Sequence, residues 1–352
     1  MIPDAALEVR ILQGMADPEW LPRCLRPEGL VRPVRVDPTG AHGPTRGQAA
    51  GPRFRQTSAG LHVPAKVGDE VVEQRILEQA SRIRSYGAVT AWASLRWQGA
   101  AFFDGTTPGG SRRLPVPIVL GPARLQRDPR VDLSQEQLSV SEIAWLAGIP
   151  LTTPERAVFD EVRRRNDLRE GVVALEMAIA ANLVTLAGFA AYVVTRQAWT
   201  GVPLTREVLD LTGGECLSPP EVRMRLVWIL DCRLPAPICN RPVFDLRGNL
   251  LGIPDLFDPD AGLVGEYDGA HHKGHVRHRR DVAREEKFRN HGLEHFAIVG
   301  GDLSDGDTAA RRMENARARA KFLPPDARSW TLDPPAWWSY RHPAGGTLPS
   351  TG

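Results

Sequence analysis

The sequence predicts an α/β protein, with a mostly helical N-terminal region followed by a C-terminal domain in which helices and short strands alternate. Three observations support this prediction. Apolar residues recur at helical spacing in residues 70–85. Short strand-like segments separated by turn residues occupy residues 238–268. A polar helical segment, 276–290, and an apolar strand, 294–300, complete the C-terminal pattern.

Composition divides the 352-residue chain into four segments. Residues 1–68 contain a stretch rich in Pro, Gly and Arg, which favours a loosely ordered arm. Residues 69–212 are predicted to be mostly helical, and residues 213–323 to form the C-terminal domain. Residues 324–352 are a Pro- and Trp-rich tail, which we expect to lack regular structure and to dock through its tryptophans.

The N-terminal region begins with the helix over 70–85, and a second short helix is predicted in residues 88–100. Strands are predicted in and around LPVPIVLGP, residues 114–122. The segment GIPLTTPERAVFDEVRRR predicts a strand and then a helix, because Thr153 can cap the helix and Pro154 suits its first turn.

Residues 172–194 form the longest apolar stretch, and its length could span a bilayer. Glu176 and Asn182 interrupt it, and Asn182 suits a left-handed helix end. A buried helical hairpin is therefore the better prediction, and we expect no membrane association.

The bulk composition limits the cellular setting and the partners. Hydrophobic residues make up 42% and the net charge is only +2, which alone does not indicate a nucleic-acid partner. The cysteines are Cys24, Cys216, Cys232 and Cys239, and their spacing suits neither a metal site nor a disulfide scaffold. A reducing cytoplasm fits best. The N-terminus has acidic residues and no apolar core, so a signal peptide is not predicted.

The segment IPDLFDPDAGLVGEYDGAHH, residues 253–272, predicts two strands joined by the turn DPDAG. Pairing about the centre of that turn sets Asp255 opposite Glu266, with side chains roughly 5 Å apart. Strand alternation puts Asp268 on the same face as Glu266. Asp258 and Asp260 are expected to be solvated turn residues.

Three carboxylates would therefore crowd one patch, and like charges at that distance require a raised pKa or a bound cation. Oxygen ligands of this kind suit Mg²⁺, which keeps several waters and takes one or two carboxylates. A metal held by Asp255 and Glu266 could activate water and stabilise charge on a cleaved phosphate.

Residues 213–305 resemble the PD-(D/E)xK restriction-endonuclease-like superfamily, and within it the very short patch repair endonuclease-like branch. The order helix, three strands, helix, strand matches, as do the RRDVAREEKFRNHG helix and the HFAIVGGDL strand. The matching site residues are Glu221, Pro254-Asp255, Glu266-Tyr267-Asp268-Gly269, His271 and His272.

This resemblance implies an αβββαβ domain and a Mg²⁺-dependent endonuclease that hydrolyses DNA phosphodiester bonds. Asp255 and Glu266 would hold the metal, and Glu221 would complete or support the site. Asp268 stands where the superfamily usually has lysine, and it reverses the charge there. Related sequences pair such a strand with a downstream histidine, so His272, or alternatively His271, would act as general base or acid.

Some of these residues also have structural interpretations. Glu221 completes SPPE, a capping box from Ser218, and stands four residues before Arg225. His271, His272 and His275 could suggest zinc, but no cysteine or acidic residue has suitable spacing.

The helix after the acidic strand is rich in arginine. Arg277, Arg280 and Arg284 are candidate DNA phosphate contacts beside a nuclease site. The alternative is a solvated face of salt bridges, because three acidic residues lie on the same helix.

A weaker resemblance covers the N-terminal region. AVTAWASLRWQGA followed by GIPLTTPERAVFDEV is similar to antitoxin-like proteins of the abortive-infection type IV family, whose N-terminus is often a small winged helix. This resemblance implies an alternative function: a catalytically inactive, antitoxin-like DNA-binding transcriptional regulator. A third possibility is an interaction protein that keeps the nuclease fold as a scaffold.

Overall fold

The structure is a computed structural model, and it describes residues 26–84, 86–213, 215–268 and 284–341, with side chains as far as 338. The chain is an α/β protein, as predicted. It divides into two compact units, Pro22–Gly214 and Glu215–Gly352, and each is considered by itself below.

The first unit opens with a three-stranded antiparallel sheet of order β1-β3-β2. Its strands are β1 (Val34–Arg35), β2 (Phe54–Ser58) and β3 (Leu61–Pro64), and the short helix α1 (Arg46–Ala49) precedes β2. The prediction of a loosely ordered arm over this stretch was therefore wrong. The high content of Pro, Gly and Arg did not indicate these three short strands, of which β2 and β3 contain the buried residues Thr57, Leu61 and Val63.

A five-stranded mixed sheet of order β6-β5-β4-β8-β7 follows in the same unit. The predicted strands near 114–122 and 148–153 belong to it as β5 and β8. The sheet makes the unit less helical than predicted, because short strands such as β4 carry too few residues for a recognisable alternation. The strands are β4 (Ala88–Val89), β5 (Val116–Val119), β6 (Val131–Ser134), β7 (Ile143–Leu146) and β8 (Ile149–Thr152).

Helices pack with this sheet within the unit. The helix predicted over 70–85 is present but shorter, and the apolar stretch 172–194 forms two helices broken where Asn182 takes φ 54°. Thr153 precedes α4, although its hydroxyl makes no capping hydrogen bond. None of the helices in the described ranges is long and apolar enough to cross a membrane. They are α2 (Val72–Ala80), α3 (Ala91–Trp97), α4 (Pro154–Arg165), α5 (Leu168–Ala180), α6 (Leu186–Val194) and α7 (Val202–Leu211).

The second unit begins with α8 (Pro219–Leu226), which continues as a π-helical turn, Val227–Asp231. Its strands are β9 (Ile238–Cys239), β10 (Val243–Asp245), β11 (Leu250–Gly252), β12 (Leu256–Asp258), β13 (Leu263–Asp268), β14 (Glu294–Val299) and β15 (Trp330–Thr331). They form a main sheet of order β14-β13-β12-β9 and a smaller sheet of order β11-β10-β15. The helices are α9, described over 284–290, α10 (Gly300–Ser304), α11 (Gly306–Arg319) and α12 (Ala336–Arg341).

Strand β13 runs through the middle of the second unit. On one face Val264 joins a buried cluster with Phe257, Phe288 and Trp330. The next residue along the strand, Gly265, belongs to the opposite face. It lies so close to the ring of Phe296 that there is no room for a Cβ. That ring stacks on Trp228 of the π-helical turn, with centroids 6.1 Å apart. β13 is therefore covered by aromatic side chains on both faces.

The tail is more regular than its prolines suggested. Trp330 lies in a strand paired with β10 and packs edge-on against Phe257, with centroids 5.1 Å apart. Trp338 packs in the same manner on Phe244, at 5.3 Å. The expectation that the tail docks through its tryptophans is confirmed for these two residues and for Trp337, whose Nε1 donates to the Gly248 carbonyl at 3.0 Å.

We expect Gly265→Ala to destabilise the second unit by about 1–3 kcal/mol, because its methyl group would overlap the Phe296 ring and separate it from Trp228. Hydrogen exchange of peptides from β13 and β14, measured by mass spectrometry, would report the change without interference from the first unit. Gly301→Ala is the control, since a Cβ there meets no atom within 4 Å. Equal protection in the two variants would contradict the packing described here.

Candidate active site

The hairpin of β12 and β13 has the predicted register. Leu256 pairs with Gly265 and Asp258 with Leu263, so the next position outward sets Asp255 against Glu266. Asp255 itself lies in the bend before β12, and its Oδ2 accepts a 2.6 Å hydrogen bond from the Tyr267 backbone N–H. This contact holds the Asp255 carboxyl at the end of the ladder.

The electrostatic environment of Asp255 is unusual. Part of its surface reaches solvent, but dehydration by the surrounding protein, followed by repulsion from Glu221 and then Glu266, raises its pKa to about 8. The Tyr267 N–H and the Arg284 guanidinium oppose this shift. Three carboxyl groups from α8, the bend before β12 and strand β13 are therefore close enough to interact.

Glu221 is buried in the first turn of α8, and three donors orient its carboxylate. Oε2 accepts from the Leu217 backbone N–H at 2.9 Å and from Asn240 Nδ2 at 2.8 Å. Oε1 accepts from Ser218 Oγ at 2.7 Å. Ser218 occupies the N-cap position, yet its hydroxyl makes no capping hydrogen bond, so the capping-box interpretation was wrong.

Glu266 has basic groups around it as well as acidic ones. Arg284 Nε lies 3.0 Å from its Oε1, and His295 Nε2 lies 3.4 Å from its Oε2. Nδ1 of the same imidazole is 3.8 Å from Glu285, and the ring stacks on Phe288. Arg284, predicted as a phosphate contact, is therefore placed against a site carboxylate.

The remaining predicted residues divide into two groups. Asp268 is the last residue of β13, opposite Val299 of the parallel strand β14. Five predicted residues lie outside the described residues: His271, His272, His275, Arg277 and Arg280. The choice between the two candidate proton-transferring histidines, and two of the three predicted phosphate contacts, therefore stay predictions.

Asp258 differs from its prediction as a solvated turn residue. It is buried, and its Oδ1 accepts from the backbone N–H groups of Asp260 and Ala261, each at 3.1 Å. Arg317 of α11 donates through Nε to its Oδ2 at 2.9 Å. The reason is that the turn packs against α11, which makes the carboxylate an anchor of the hairpin. Asp260 is exposed, as expected.

Sequence reasoning missed two residues of the site, Asn240 and His295. Asn240 follows β9, whose pairing with β12 brings it beside Asp255. His295 pairs with Val264 in the parallel ladder, so its side chain lies on the same face as Glu266. Both placements depend on long-range strand pairing; the only local signal was the run of histidines from 271 to 295.

The donor set fits a hard cation in part. Within the described ranges no three His, Cys, Asp or Glu side chains are arranged as a metal-binding group. Asp255 and Glu266 supply two carboxylates that repel each other, which is the number that Mg²⁺ takes when it retains its waters. Without a cation, the raised pKa, caused first by burial and then by repulsion from Glu221 and Glu266, favours a proton on Asp255 at neutral pH.

A scan against protein-family models and searches of curated proteins and solved structures found no match to this chain.

The raised pKa of Asp255 predicts a pH-dependent stability. The folded chain keeps the proton between about pH 4 and 8 while the unfolded chain releases it, so the free energy of unfolding falls as pH rises through this window. Asp255→Asn retains an acceptor for the Tyr267 N–H and has no proton to lose. We expect it to stabilise the second unit by more than about 1 kcal/mol at pH 8 and to change little near pH 4.

Urea unfolding at several pH values measures this effect, with hydrogen exchange of peptides from the second unit as the readout. Asp260→Asn removes an exposed carboxyl from the same hairpin and is the matched control. Parallel pH profiles for Asp255→Asn and the wild type would show that Asp255 is ionised throughout.

Proposed function

We propose that the second unit is a Mg²⁺-dependent endonuclease that hydrolyses DNA phosphodiester bonds. The observation that supports this most directly is the meeting of Glu221, Asp255 and Glu266 at one end of the β12–β13 hairpin. Carboxylates that repel one another and are largely withdrawn from solvent are costly to fold unless a cation or a proton neutralises them. The restriction-endonuclease-like αβββαβ domain is part of this proposal, and what supports it is the order α8, β9, β12, β13, α9 and β14 in the main sheet and its helices, with β10 and β11 of the smaller sheet between β9 and β12.

In this proposal Asp255 and Glu266 hold the cation, and Mg²⁺, when bound, supplies an activated water and charge stabilisation at the phosphate. Glu221 orients the site from α8 through its hydrogen bond with Asn240. Arg284 balances the charge of Glu266 until DNA arrives, and its guanidinium is then available to a phosphate oxygen.

Proton transfer requires another group, because Asp268 replaces the superfamily's lysine and cannot supply a positive charge. We assign it to His272, with His271 as the alternative, since imidazole exchanges protons near neutral pH. Arg277 and Arg280 would contact the DNA backbone alongside Arg284. The cytoplasm is the proposed setting.

The second candidate is a catalytically inactive, antitoxin-like DNA-binding regulator. The Arg284–Glu266 contact favours it, because a carboxylate already neutralised by a guanidinium has less need of a metal. Asp268 would then mark the loss of an ancestral activity. The first unit would carry the antitoxin-like region, including any winged helix.

A plasmid-nicking assay separates these candidates. We expect Mg²⁺-dependent nicking of supercoiled DNA that chelator abolishes, and a loss of at least about 100-fold in Asp255→Ala and Glu266→Ala, because each removes a proposed metal ligand. Glu221→Gln should lose less, about 10-fold, since it only weakens the orientation of the site.

Asp260→Ala is the control, because it deletes a carboxylate from the turn of the same hairpin and should cut normally. Asp255→Asn and Glu266→Gln should match their alanine counterparts, which separates loss of a ligand from loss of folding. DNA retention without nicking, unchanged in all of these variants, would instead support the regulator.

Metal binding can be measured without DNA. We expect millimolar Mg²⁺ at pH 8 to raise the midpoint of thermal unfolding of the wild type, since a cation bound only by the folded state stabilises it. Asp255→Asn and Glu266→Gln should not respond, whereas Asp260→Asn should respond like the wild type. A Mg²⁺ effect of equal size in all four proteins would place the metal elsewhere.

A further inference from the structure

Two cysteines of the second unit are in direct contact. Cys216 lies in the segment before α8 and Cys239 lies in strand β9, and their sulfur atoms are 3.6 Å apart. Both residues are buried, with relative exposures of 1% and 6%. Neither is in a disulfide, so the pair is a dithiol whose atoms need to approach by only about 1.5 Å to form an S–S bond.

The residue after each cysteine holds Glu221. Leu217 follows Cys216, and its backbone N–H donates to Glu221 Oε2. Asn240 follows Cys239, and its Nδ2 donates to the same oxygen and to the Glu215 carbonyl at 3.0 Å. The two thiols are thus attached to the two segments that orient this carboxylate.

We propose that Cys216 and Cys239 form an oxidation site, at which hydrogen peroxide converts the dithiol to a disulfide and thereby changes the support of Glu221. One sulfur attacks the peroxide, the O–O bond breaks, and a sulfenic acid and one water form. The second sulfur then attacks the sulfenic sulfur and expels another water. Two S–H bonds and one O–O bond are lost, one S–S bond and two O–H bonds form, and the peroxide accepts both electrons.

The disulfide would act on Glu221 through geometry. In this proposal part of the approach of about 1.5 Å between the sulfur atoms is met by movement of the two segments, the rest by rotation of the cysteine side chains. Movement of either segment would lengthen one of the hydrogen bonds, of 2.9 and 2.8 Å, by which Leu217 and Asn240 donate to Glu221 Oε2. Oxidation therefore loosens Glu221, and reduction by a small thiol restores it.

A third cysteine in the unit provides a contrast. Cys232 follows the π-helical turn, and its Sγ donates to the Ala310 carbonyl at 3.7 Å. Burial, with nearby Glu314 and Asp231, raises the pKa of its thiol to about 11. The sulfur of Cys232 is placed against a carbonyl oxygen, whereas the sulfurs of Cys216 and Cys239 are placed against each other, so Cys232 should not form the same disulfide under these conditions.

The test uses the full chain treated with hydrogen peroxide or with dithiothreitol, then denatured and alkylated. We expect the oxidised chain to be about 2 Da lighter before alkylation, two of the four thiols to escape alkylation, and a peptide to link Cys216 to Cys239. Dithiothreitol should reverse the change. Cys216→Ser and Cys239→Ser should form no link, whereas Cys232→Ser should behave like the wild type.

Hydrogen exchange of the peptide that contains the Leu217 amide measures the effect on Glu221. We expect faster exchange after oxidation of the wild type, and no change in Cys216→Ser treated identically. Absence of the linked peptide would overturn the oxidation site. A linked peptide with unaltered exchange would overturn its action on Glu221. Neither readout depends on DNA cleavage, so failure of the proposed nuclease function would be seen separately.

Discussion

The register of strands β12 and β13 is the constraint on which the candidate site depends. A shift of one residue would turn Glu266 to the opposite face and remove the Tyr267 N–H from Asp255. Two contacts oppose such a shift. A shift would replace Gly265 by a residue with a side chain, and the Phe296 ring leaves no room for a Cβ there; Asp258 also fixes the turn through Arg317. Aromatic packing and one partly buried ion pair thus hold a group of mutually repelling acids in place.

Local patterns predicted the centre of this arrangement well. The register of a hairpin follows from the length of its turn, so the opposition of Asp255 and Glu266 could be derived from twenty letters of sequence. His295 and Asn240 could not be found in this way. Their positions depend on the parallel pairing of β14 and the pairing of β9, which join segments distant in the chain and leave no local periodicity. The contact of Arg284 with Glu266 escaped prediction for a related reason, because a helical pattern does not say which strand its residues face.

Composition was the weaker guide in the first unit. Pro, Gly and Arg in residues 30–68 suggested low order, yet the few apolar residues there are spaced to form two buried strand segments around Gly60, which takes φ 74° at the turn. The break in the apolar stretch 172–194 was predicted correctly because Asn182 is a specific conformational signal, but the second of the two helices is largely exposed and not buried as predicted. A single residue with a defined backbone preference, Asn182, therefore predicted local structure better than the average composition of residues 30–68 did.

Trp330 has a consequence for how the second unit acquires its structure. It fills the cluster around Phe257 from a strand that the ribosome makes well after the acidic hairpin. Until that strand emerges, the hairpin lacks part of its apolar cover, and an emerging chain with exposed apolar surface is vulnerable to aggregation and chaperone capture. The order of synthesis thus makes the completion of this domain a late event, governed by a residue remote in sequence from the apolar side chains of the hairpin that it covers.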